Sequence, residues 1–272
     1  MQLDPDQHRM TAIVLAGDRS KTDSLIDHSG VSCKALIDID GKPMVRRVLE
    51  ALRESRVVDN ILLAGPEASE LATDAHLSSW VDSGEIGWRT PEASPSTSAY
   101  HAMQTLDPEV PVLLTTADHP LLTAEIIDAF GRQSLADDVD VAVGLAPHAL
   151  VTEAYPGIKK TVLRFSDGDF CGCNLFAFLT PEGRRAASFW RKIEQQRKKP
   201  LVLIGLLGWW AVIRYRLGML PLEEALAKLS KRLGLRMKAV ILPYANAAID
   251  VDSIADLVLV KGSLEKAADK DA

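Results

Sequence analysis

The sequence is poor in features that mark several classes of protein. It has three cysteines in 272 residues, and neither a C-x-x-C pair nor a histidine cluster accompanies Cys33, Cys171 and Cys173. This excludes a disulfide framework and a conventional zinc motif, so we expect reduced thiols in a cytoplasmic protein. An excess of positive charge is also missing, because the net charge is −6. That balance argues against nucleic-acid binding, which usually accompanies a basic surface.

Other absences narrow the class further. Residues 1–10 are polar and partly acidic, which is unlike a signal peptide. The apolar run at 201–213 has 13 residues, fewer than the ~20 that cross a membrane. No G-x-G-x-x-G is present, so the dinucleotide fingerprint is absent. The hydrophobic fraction of 47% and charged fraction of 25% leave an ordinary globular fold as the expectation.

Short apolar runs alternate with helical periodicity over most of the chain. The predicted strands are 11–16, 60–64, 110–115, 139–143, 239–242 and a short last one at 248–252. This rhythm predicts an α/β protein with a mostly parallel sheet. A β-hairpin turning at 166–169 adds antiparallel strands at one side of that sheet. We expect one domain over 1–272, with a core at 11–180 and 238–260 and a helical insertion at 181–237.

The first strand ends in a segment suited to phosphate groups. Thr11-Ala-Ile-Val-Leu-Ala-Gly17 is apolar up to its glycine, and Arg19 and Lys34 follow. A strand that stops at a glycine beside cationic side chains is a plausible polyphosphate site. The same residues are equally typical of an ordinary strand–loop–helix joint with solvated cations.

Two acidic segments could complete such a site. Asp118 directly follows the strand at 110–115, and a carboxylate at the carboxyl end of a strand faces the crevice where α/β sheets bind ligands. It could also cap the turn. Asp252 stands before the last helix, where Asp252 or Ser253 is equally suited to be the N-cap. Two carboxylates from distant strands would give the oxygen-rich site that Mg²⁺ prefers.

Taken together, these motifs resemble a known family. Leu15-Ala-Gly17, a lysine followed by Ala-Leu, Gly41-Lys-Pro-Met44 and Asp118-x-Pro120 occur in the order found in MobA-like NTP transferases, nucleotidyltransferases with a glycosyltransferase-A-like fold. The resemblance implies a three-layer α/β/α Rossmann-like fold with a mixed, mostly parallel sheet. It covers mainly residues 11–180 and 238–260, leaving the helical insertion without an equivalent.

The resemblance also implies roles around the nucleotide. Lys34 and Arg19 would act as the catalytic cations on the phosphates. Asp118 and Asp252 would bind Mg²⁺, with Asp250 as the weaker candidate. The nucleotide-binding residues that it implies are Leu15, Ala16, Gly17, Arg19, Lys34, Ser96 and Ser98.

On the acceptor side, the resemblance points to the hairpin. Asn174 could hydrogen-bond the acceptor and Arg164 could meet its phosphate, although a surface hairpin explains both residues as well. One departure from the family is Asp18, which stands where the family has glycine. The basic and apolar stretch at 184–216 stays open between a buried insertion helix, peripheral membrane contact, an acceptor pocket and an oligomer interface.

The expected function is that of a Mg²⁺-dependent nucleotidyltransferase. It would transfer NMP from an NTP, with CTP or GTP favoured, to a phosphorylated acceptor and release pyrophosphate. Such a reaction needs no protein nucleophile, so the missing Ser-His-Asp signature is no objection. The alternative is a non-catalytic nucleotide-binding or membrane-peripheral scaffold of the same fold. A glycosyltransferase is a third possibility, but Asp250-Val-Asp252 lies in the wrong place for its Asp-x-Asp motif.

Overall fold

The computed structural model describes residues 9–18, 24–196 and 208–271. Its strands are β1 (Met10–Leu15), β2 (Asp38–Ile39), β3 (Lys42–Pro43), β4 (Val58–Ala64), β5 (Gly87–Arg89), β6 (Val112–Thr116), β7 (Val141–Pro147), β8 (Val162–Phe165), β9 (Gly168–Phe178) and β10 (Met237–Ile241). Its helices are α1 (Ser24–Ser29), α2 (Met44–Glu54), α3 (Ala68–Leu71), α4 (Ala75–Asp82), α5 (Pro95–Gln104), α6 (Ala124–Leu135), α7 (His148–Ala154), α8 (Pro181–Gln196), α9 (Trp209–Arg216), α10 (Leu222–Leu233) and α11 (Ile254–Asp271). Two 3₁₀ turns lie at Lys34–Leu36 and Ala245–Ala248.

The eight-stranded sheet has the order β10-β7-β9-β6-β1-β4-β5, with β8 paired to β9. Strand β1 is parallel to both β4 and β6, while β7 is parallel to β10. Strand β9 runs antiparallel to its neighbours β6 and β7. The mixed, mostly parallel sheet predicted from the sequence is therefore confirmed.

Helices cover both faces of the sheet. The side chains of β1 show this, since they alternate between two apolar clusters, one on each face. Ala12 and Val14 pack with buried residues of α2, α6 and α11, including Val48. Ile13 and Leu15 pack on the opposite face with residues of α5, α8 and α10. This period-two alternation on a fully buried strand makes the α/β/α architecture three-layered.

Two predicted elements are wrong in detail. The hairpin strand β9 lies inside the sheet between β6 and β7, not at one side of it. No strand forms at 248–252, where the chain continues from the 3₁₀ turn in an extended conformation. Ile249 and Val251 are fully buried there. Their apolar alternation therefore reflects packing on the core rather than pairing in a ladder.

Helices α8, α9 and α10 lie between β9 and β10, where the sequence predicts a helical insertion, and residues 197–207 lie outside the described part. Helices α9 and α10 are separate, with Pro221 at the N-cap of α10. The exposed side chains of this region include Trp209, Trp210, Leu217 and Met219. Among the described helices, none has both the length and the apolar character required to cross a bilayer.

All three cysteines are buried free thiols, as their sequence context predicts. Burial raises the pKa of Cys33 and of Cys173 to about 12. At neutral pH they are therefore protonated and serve as small packing residues.

Candidate active site

Backbone hydrogen bonds bring three distant segments together at the carboxyl ends of β1 and β6. The Ala117 N–H donates to the Leu15 carbonyl at 2.9 Å. The Val251 N–H donates to the Asp118 carbonyl, also at 2.9 Å. The extended segment that replaces the predicted last strand is thereby fixed beside the end of β6. This places Asp118 and Asp252 at one edge of the sheet.

Lys34 lies between the two predicted metal ligands. Its Nζ is 3.0 Å from Asp118 Oδ2 and 2.6 Å from Asp252 Oδ1. The exposed fractions of the three side chains are 18% for Lys34, 22% for Asp118 and 68% for Asp252. The Thr116 hydroxyl donates to the other oxygen of Asp118 at 2.6 Å. One cation therefore already occupies the position between two carboxylates that are distant from each other in the sequence.

The charges in this group reinforce one another. Burial alone would raise the pKa of Asp118, but the Lys34 ammonium and the Thr116 hydroxyl outweigh it and lower that pKa to about 2. Burial would likewise lower the pKa of Lys34, yet the two aspartates raise it above its ordinary value. Lys34 is consequently a permanent cation at physiological pH, and Asp118 a permanent anion.

The loop after β1 shows what the unusual Asp18 does. Its carboxylate accepts hydrogen bonds from the Lys34 backbone N–H at 3.2 and 3.3 Å. Desolvation raises the pKa of Asp18, while these bonds oppose that rise. Gly17 is required here because a Cβ would come within 2.6 Å of Pro91. Asp18 thus ties the Lys34 segment to the loop.

Asn174 is aimed at the site by an irregularity in β9. The pairing of β7 with β9 shifts register between Val143 and Leu145, opposite Asn174. Asn174 itself has φ of 47°, in the left-handed region that non-glycine residues rarely adopt. Such bulges redirect side chains near functional sites. The Asn174 amide donates to His119 Nε2 at 2.9 Å and lies 3.5 Å from the Thr116 hydroxyl.

His119 orients this amide and does not act as a cation. It is 1% exposed. Burial lowers its pKa, although the neighbouring Asp118 opposes the effect. Since Nε2 accepts from Asn174, the ring is neutral with its proton on Nδ1. The contacts with His119 and Thr116 hold Asn174 at the edge of the site, and its role toward the acceptor stays a prediction.

A second ion pair separates Asp250 from Asp252. Asp250 binds Lys160, whose side chain is 9% exposed. Among the described residues, the site therefore carries four carboxylates, Asp18, Asp118, Asp250 and Asp252, against two ammonium groups, Lys34 and Lys160. A triphosphate would add further negative charge, so this arrangement calls for an additional cation.

The donor set fits a magnesium ion that shares its ligands with substrate. In the described part of the chain, no group of three or more His, Cys, Asp or Glu side chains could hold a metal ion. Mg²⁺ commonly binds through one or two carboxylates and completes its shell with phosphate oxygens and water. Asp118 and Asp252 meet that requirement because both already contact one nitrogen cation.

These residues open into a cleft of about 480 Å³. Its lining brings together seven of the residues that the sequence predicts for the nucleotide, the metal and the acceptor, namely Leu15, Gly17, Lys34, Asp118, Asn174, Asp250 and Asp252. Ala16 is buried beside them. Pro95 also lines the cleft and begins α5.

Ser96, Ser98 and Arg164 are not brought into this lining. Ser96 and Ser98 are buried in the first turns of α5, where Ser98 Oγ accepts from the Glu92 N–H at 2.9 Å. The side chain of Arg164 is 75% exposed, and its Nε lies 3.9 Å from Asp169 Oδ2. Arg19 lies outside the described residues. The nucleotide, metal and acceptor roles of these four residues and of the residues that line the cleft all stay predictions.

Sequence reasoning missed two parts of the site. Lys160 carries no motif, and only its pairing with Asp250 reveals it. The other part is an apolar extension of the cleft on β9 and the insertion helices. Its sequence signal is the alternation of Asn174, Phe176 and Phe178, which puts all three on one face of β9.

The fold and the site define a nucleotidyltransferase of the glycosyltransferase-A-like class. A model of the MobA-like NTP transferase domain matches residues 12–161, more than half of the chain. The chain therefore belongs to the MobA-like NTP transferase family and is a nucleotidyltransferase that uses an NTP. A search of curated protein sequences gave no significant match.

Solved structures agree with this assignment. A hypothetical transferase from Thermus thermophilus superposes with a TM-score of 0.76 at 28% identity, covering 92% of this chain and 99% of that one. CMP:2-keto-3-deoxy-manno-octonic acid synthetase, solved with CTP, has a TM-score of 0.58 at 13% identity, covering 95% and 99%. 4-Diphosphocytidyl-2C-methyl-D-erythritol synthase from Anaerococcus prevotii has 0.57 at 12%, covering 96% and 98%. The last two similarities establish the shared fold.

Proposed function

We propose that the protein transfers NMP from an NTP to a phosphorylated small-molecule acceptor, with Mg²⁺ as cofactor and pyrophosphate as leaving group. The observation that carries this proposal is the contact of Lys34 with both Asp118 and Asp252. Three charged groups from remote segments meet at the carboxyl edge of the sheet, where open α/β folds bind ligands.

Each of the site residues would have a separate role in an in-line displacement at the α-phosphorus. Asp118 and Asp252 would hold the metal ion, which when bound would neutralise charge on the phosphate oxygens. Lys34 supplies a fixed ammonium for the same purpose, because its raised pKa keeps it charged. Asn174 presents its amide to the acceptor side. Arg19, two residues after Gly17, is proposed as a further phosphate cation.

No general base is needed in this scheme. A phosphate monoester has a second pKa near 6, so an acceptor phosphate is already largely ionised at neutral pH. Its oxygen forms a new bond to the α-phosphorus, and the bond from that phosphorus to the β-phosphate oxygen breaks, releasing pyrophosphate. The neutral, buried His119 agrees with a mechanism in which no side chain takes a proton.

Two alternatives receive less support. Asp18, where the family has glycine, would favour a non-catalytic scaffold if it disturbed the site, but its carboxylate accepts from the Lys34 backbone and leaves the charged group intact. A glycosyltransferase Asp-x-Asp site would need Asp250 and Asp252 to act together. Each is paired with a different lysine.

The test measures pyrophosphate release and NTP binding on the full chain. CTP, GTP, ATP and UTP are offered with phosphorylated acceptors at increasing Mg²⁺ concentration. Asp118→Asn and Asp252→Asn should each lower kcat/KM by more than about 100-fold, since losing even a residue that orients a metal ligand costs roughly 10–100-fold. Asp59→Asn is the matched control, because Asp59 pairs with Arg9 on the surface. Folded site variants that keep the original rate and Mg²⁺ dependence would contradict the metal assignment.

A further inference from the structure

The cleft continues beyond its charged end as an apolar arm. Its sheet side is lined by side chains of β7, β9 and β10, and its outer side by side chains of α8 and α10. The residues that define the apolar arm are Val141, Val143, Phe176, Phe178, Met237, Phe189, Trp190, Leu229 and Leu233.

The apolar arm begins at the catalytic groups and leads away from them. Asn174, Phe176 and Phe178 lie on the same face of β9 and all line the cleft. At ~3.3 Å per residue, the strand rises about 13 Å from Asn174 to Phe178. Because β9 is antiparallel to β6, this path runs back along β6 from Thr116 toward Val112. The apolar arm therefore extends into the protein from the sheet edge where Lys34 and Asp118 lie.

Neither the triphosphate nor the base of a nucleotide matches the chemistry of the apolar arm. A triphosphate needs the cations at the mouth, and burying it among aromatic and aliphatic side chains would carry a large desolvation penalty. A base would leave most of its polar edge unpaired, since the indole N–H of Trp190 is the one N–H or O–H donor among the side chains that define the apolar arm. Of the two substrates of a nucleotidyl transfer, the acceptor is therefore the one that suits the apolar arm.

We propose that the acceptor is an amphiphilic phosphate monoester, with a linear hydrocarbon chain lying in the apolar arm and its phosphate beside Lys34 and Asn174. This inference rests on the proposed function and names the substrate class for it. The transfer step is unchanged: the acceptor phosphate oxygen bonds to the α-phosphorus, and pyrophosphate departs with the electron pair of the broken bond. The product would be a nucleoside diphosphate ester of the hydrocarbon alcohol.

The insertion supports such an occupant. Helices α8 and α10, which cover the apolar arm, belong to the same segment that exposes Trp209 and Trp210 to solvent, at 63% and 69%. Long-chain phosphates occur free or within lipid layers, and the charged mouth with its apolar arm would recognise the same molecule from either source.

The experiment uses ethyl, butyl, hexyl, octyl and decyl phosphate as acceptors with the best NTP. Each is presented below its micelle-forming concentration, and the longer ones also in neutral phospholipid vesicles. In at least one presentation, kcat/KM should rise about fourfold per methylene until the apolar arm is filled. Calorimetric binding of each phosphate, with and without NTP, is measured in parallel.

A variant that fills the apolar arm provides the second readout. Val143→Phe should reduce the ratio of decyl to ethyl phosphate kcat/KM by at least tenfold, and the ratio of their affinities similarly. Val258→Phe is the matched control, because Val258 lies on α11 outside the cleft and is 66% exposed. This control should retain both ratios of the original protein.

The outcomes separate the two proposals. Equal turnover of short and long phosphates in both presentations would overturn the amphiphilic acceptor while leaving the transferase function in place. Chain-length-dependent binding that Val143→Phe removes, without pyrophosphate release from any NTP, would support the apolar arm and overturn the proposed function. Neither binding nor turnover at any chain length would overturn both.

Discussion

The Lys34–Asp118 pair should show a large energetic coupling, and the Lys34–Asp252 pair a small one. The pKa of Asp118 falls from its ordinary 3.8 to about 2, which corresponds to about 2 kcal/mol of stabilisation by its surroundings. Asp118 is 22% exposed, so solvent screens this interaction little. Asp252 is 68% exposed, and its pair with Lys34 should contribute less than about 1 kcal/mol despite the shorter distance of 2.6 Å.

Two double-mutant cycles measure these couplings. Lys34→Met is combined with Asp118→Asn in one cycle and with Asp252→Asn in the other, and urea unfolding is followed by circular dichroism at pH 7. Because the pKa of Asp118 is lowered, its contribution is fully present above about pH 4 and is lost as the pH falls through 2. An Asp118 coupling below about 0.5 kcal/mol, or an equal coupling for Asp252, would refute the reasoning.

The exposed pair of Arg9 and Asp59 supplies the control for this comparison. Both side chains are about half exposed, and their nitrogen and oxygen are 2.7 Å apart. Its cycle should give a coupling of about 0.2–1 kcal/mol, as exposed pairs generally do. A value near that of Lys34 with Asp118 would mean that burial does not distinguish the two pairs.

Three further predictions concern the loop, the ion pair between the buried Asp140 and the half-exposed Arg236, and a close contact of Gly183. Asp18→Ala should raise the KM for the NTP several-fold, because the Lys34 backbone loses its hydrogen bonds although a negative charge is removed. Asp140→Asn should lower the unfolding free energy by roughly 1–3 kcal/mol, since Asp140 accepts hydrogen bonds from the backbone and guanidinium of Arg236. These bonds lower the pKa of Asp140, so its contribution is present at neutral pH and disappears as acid protonates it. Gly183→Ala should lower the Tm, because its Cβ would overlap the Asp140 carbonyl.

Each of these has a measurement that could contradict it. Steady-state kinetics showing tighter NTP binding in Asp18→Ala would mean that the charge matters more than the tether. Urea titrations at pH 7 and pH 3 should show a smaller effect of Asp140→Asn at the lower pH. Gly262→Ala is the control for Gly183→Ala, since no atom lies within 4 Å of its added Cβ, and scanning calorimetry should find its Tm unchanged or raised.

Local sequence patterns predicted most of the fold. The apolar run of β1 and the amphipathic stripe of α2 are visible because each element buries one defined set of positions. The pairing of β9 is not visible, since which strands flank it depends on contacts made across the whole sheet. The segment at 248–252 has the alternation of a strand, but its buried side chains fill the core beside β6 instead.

The site, like the fold, could be predicted only in part from the sequence. Lys34, Asp118 and Asp252 could be named from their motifs, and the structure brings all three together. The backbone of Asn174, at φ of 47°, follows from a bulge that its residue type alone does not reveal. By its charge alone, Asp18 is unfavourable for binding a triphosphate. Its hydrogen bonds to the Lys34 backbone depend on how the loop folds, so the sequence does not reveal them.

The bond from the Val251 N–H to the Asp118 carbonyl has a consequence for synthesis in the cell. Asp252 follows Asp118 by more than a hundred residues, and the intervening chain includes β7, β9 and β10. During translation, a chain that has folded around β1 and β6 would already display Lys34 and Asp118 but would lack the second carboxylate. The proposed site would therefore be completed in one step, when the segment that contains Val251 and Asp252 has left the ribosome and docked against β6. Under the proposed function, a nascent chain would not turn over NTP before that segment has docked.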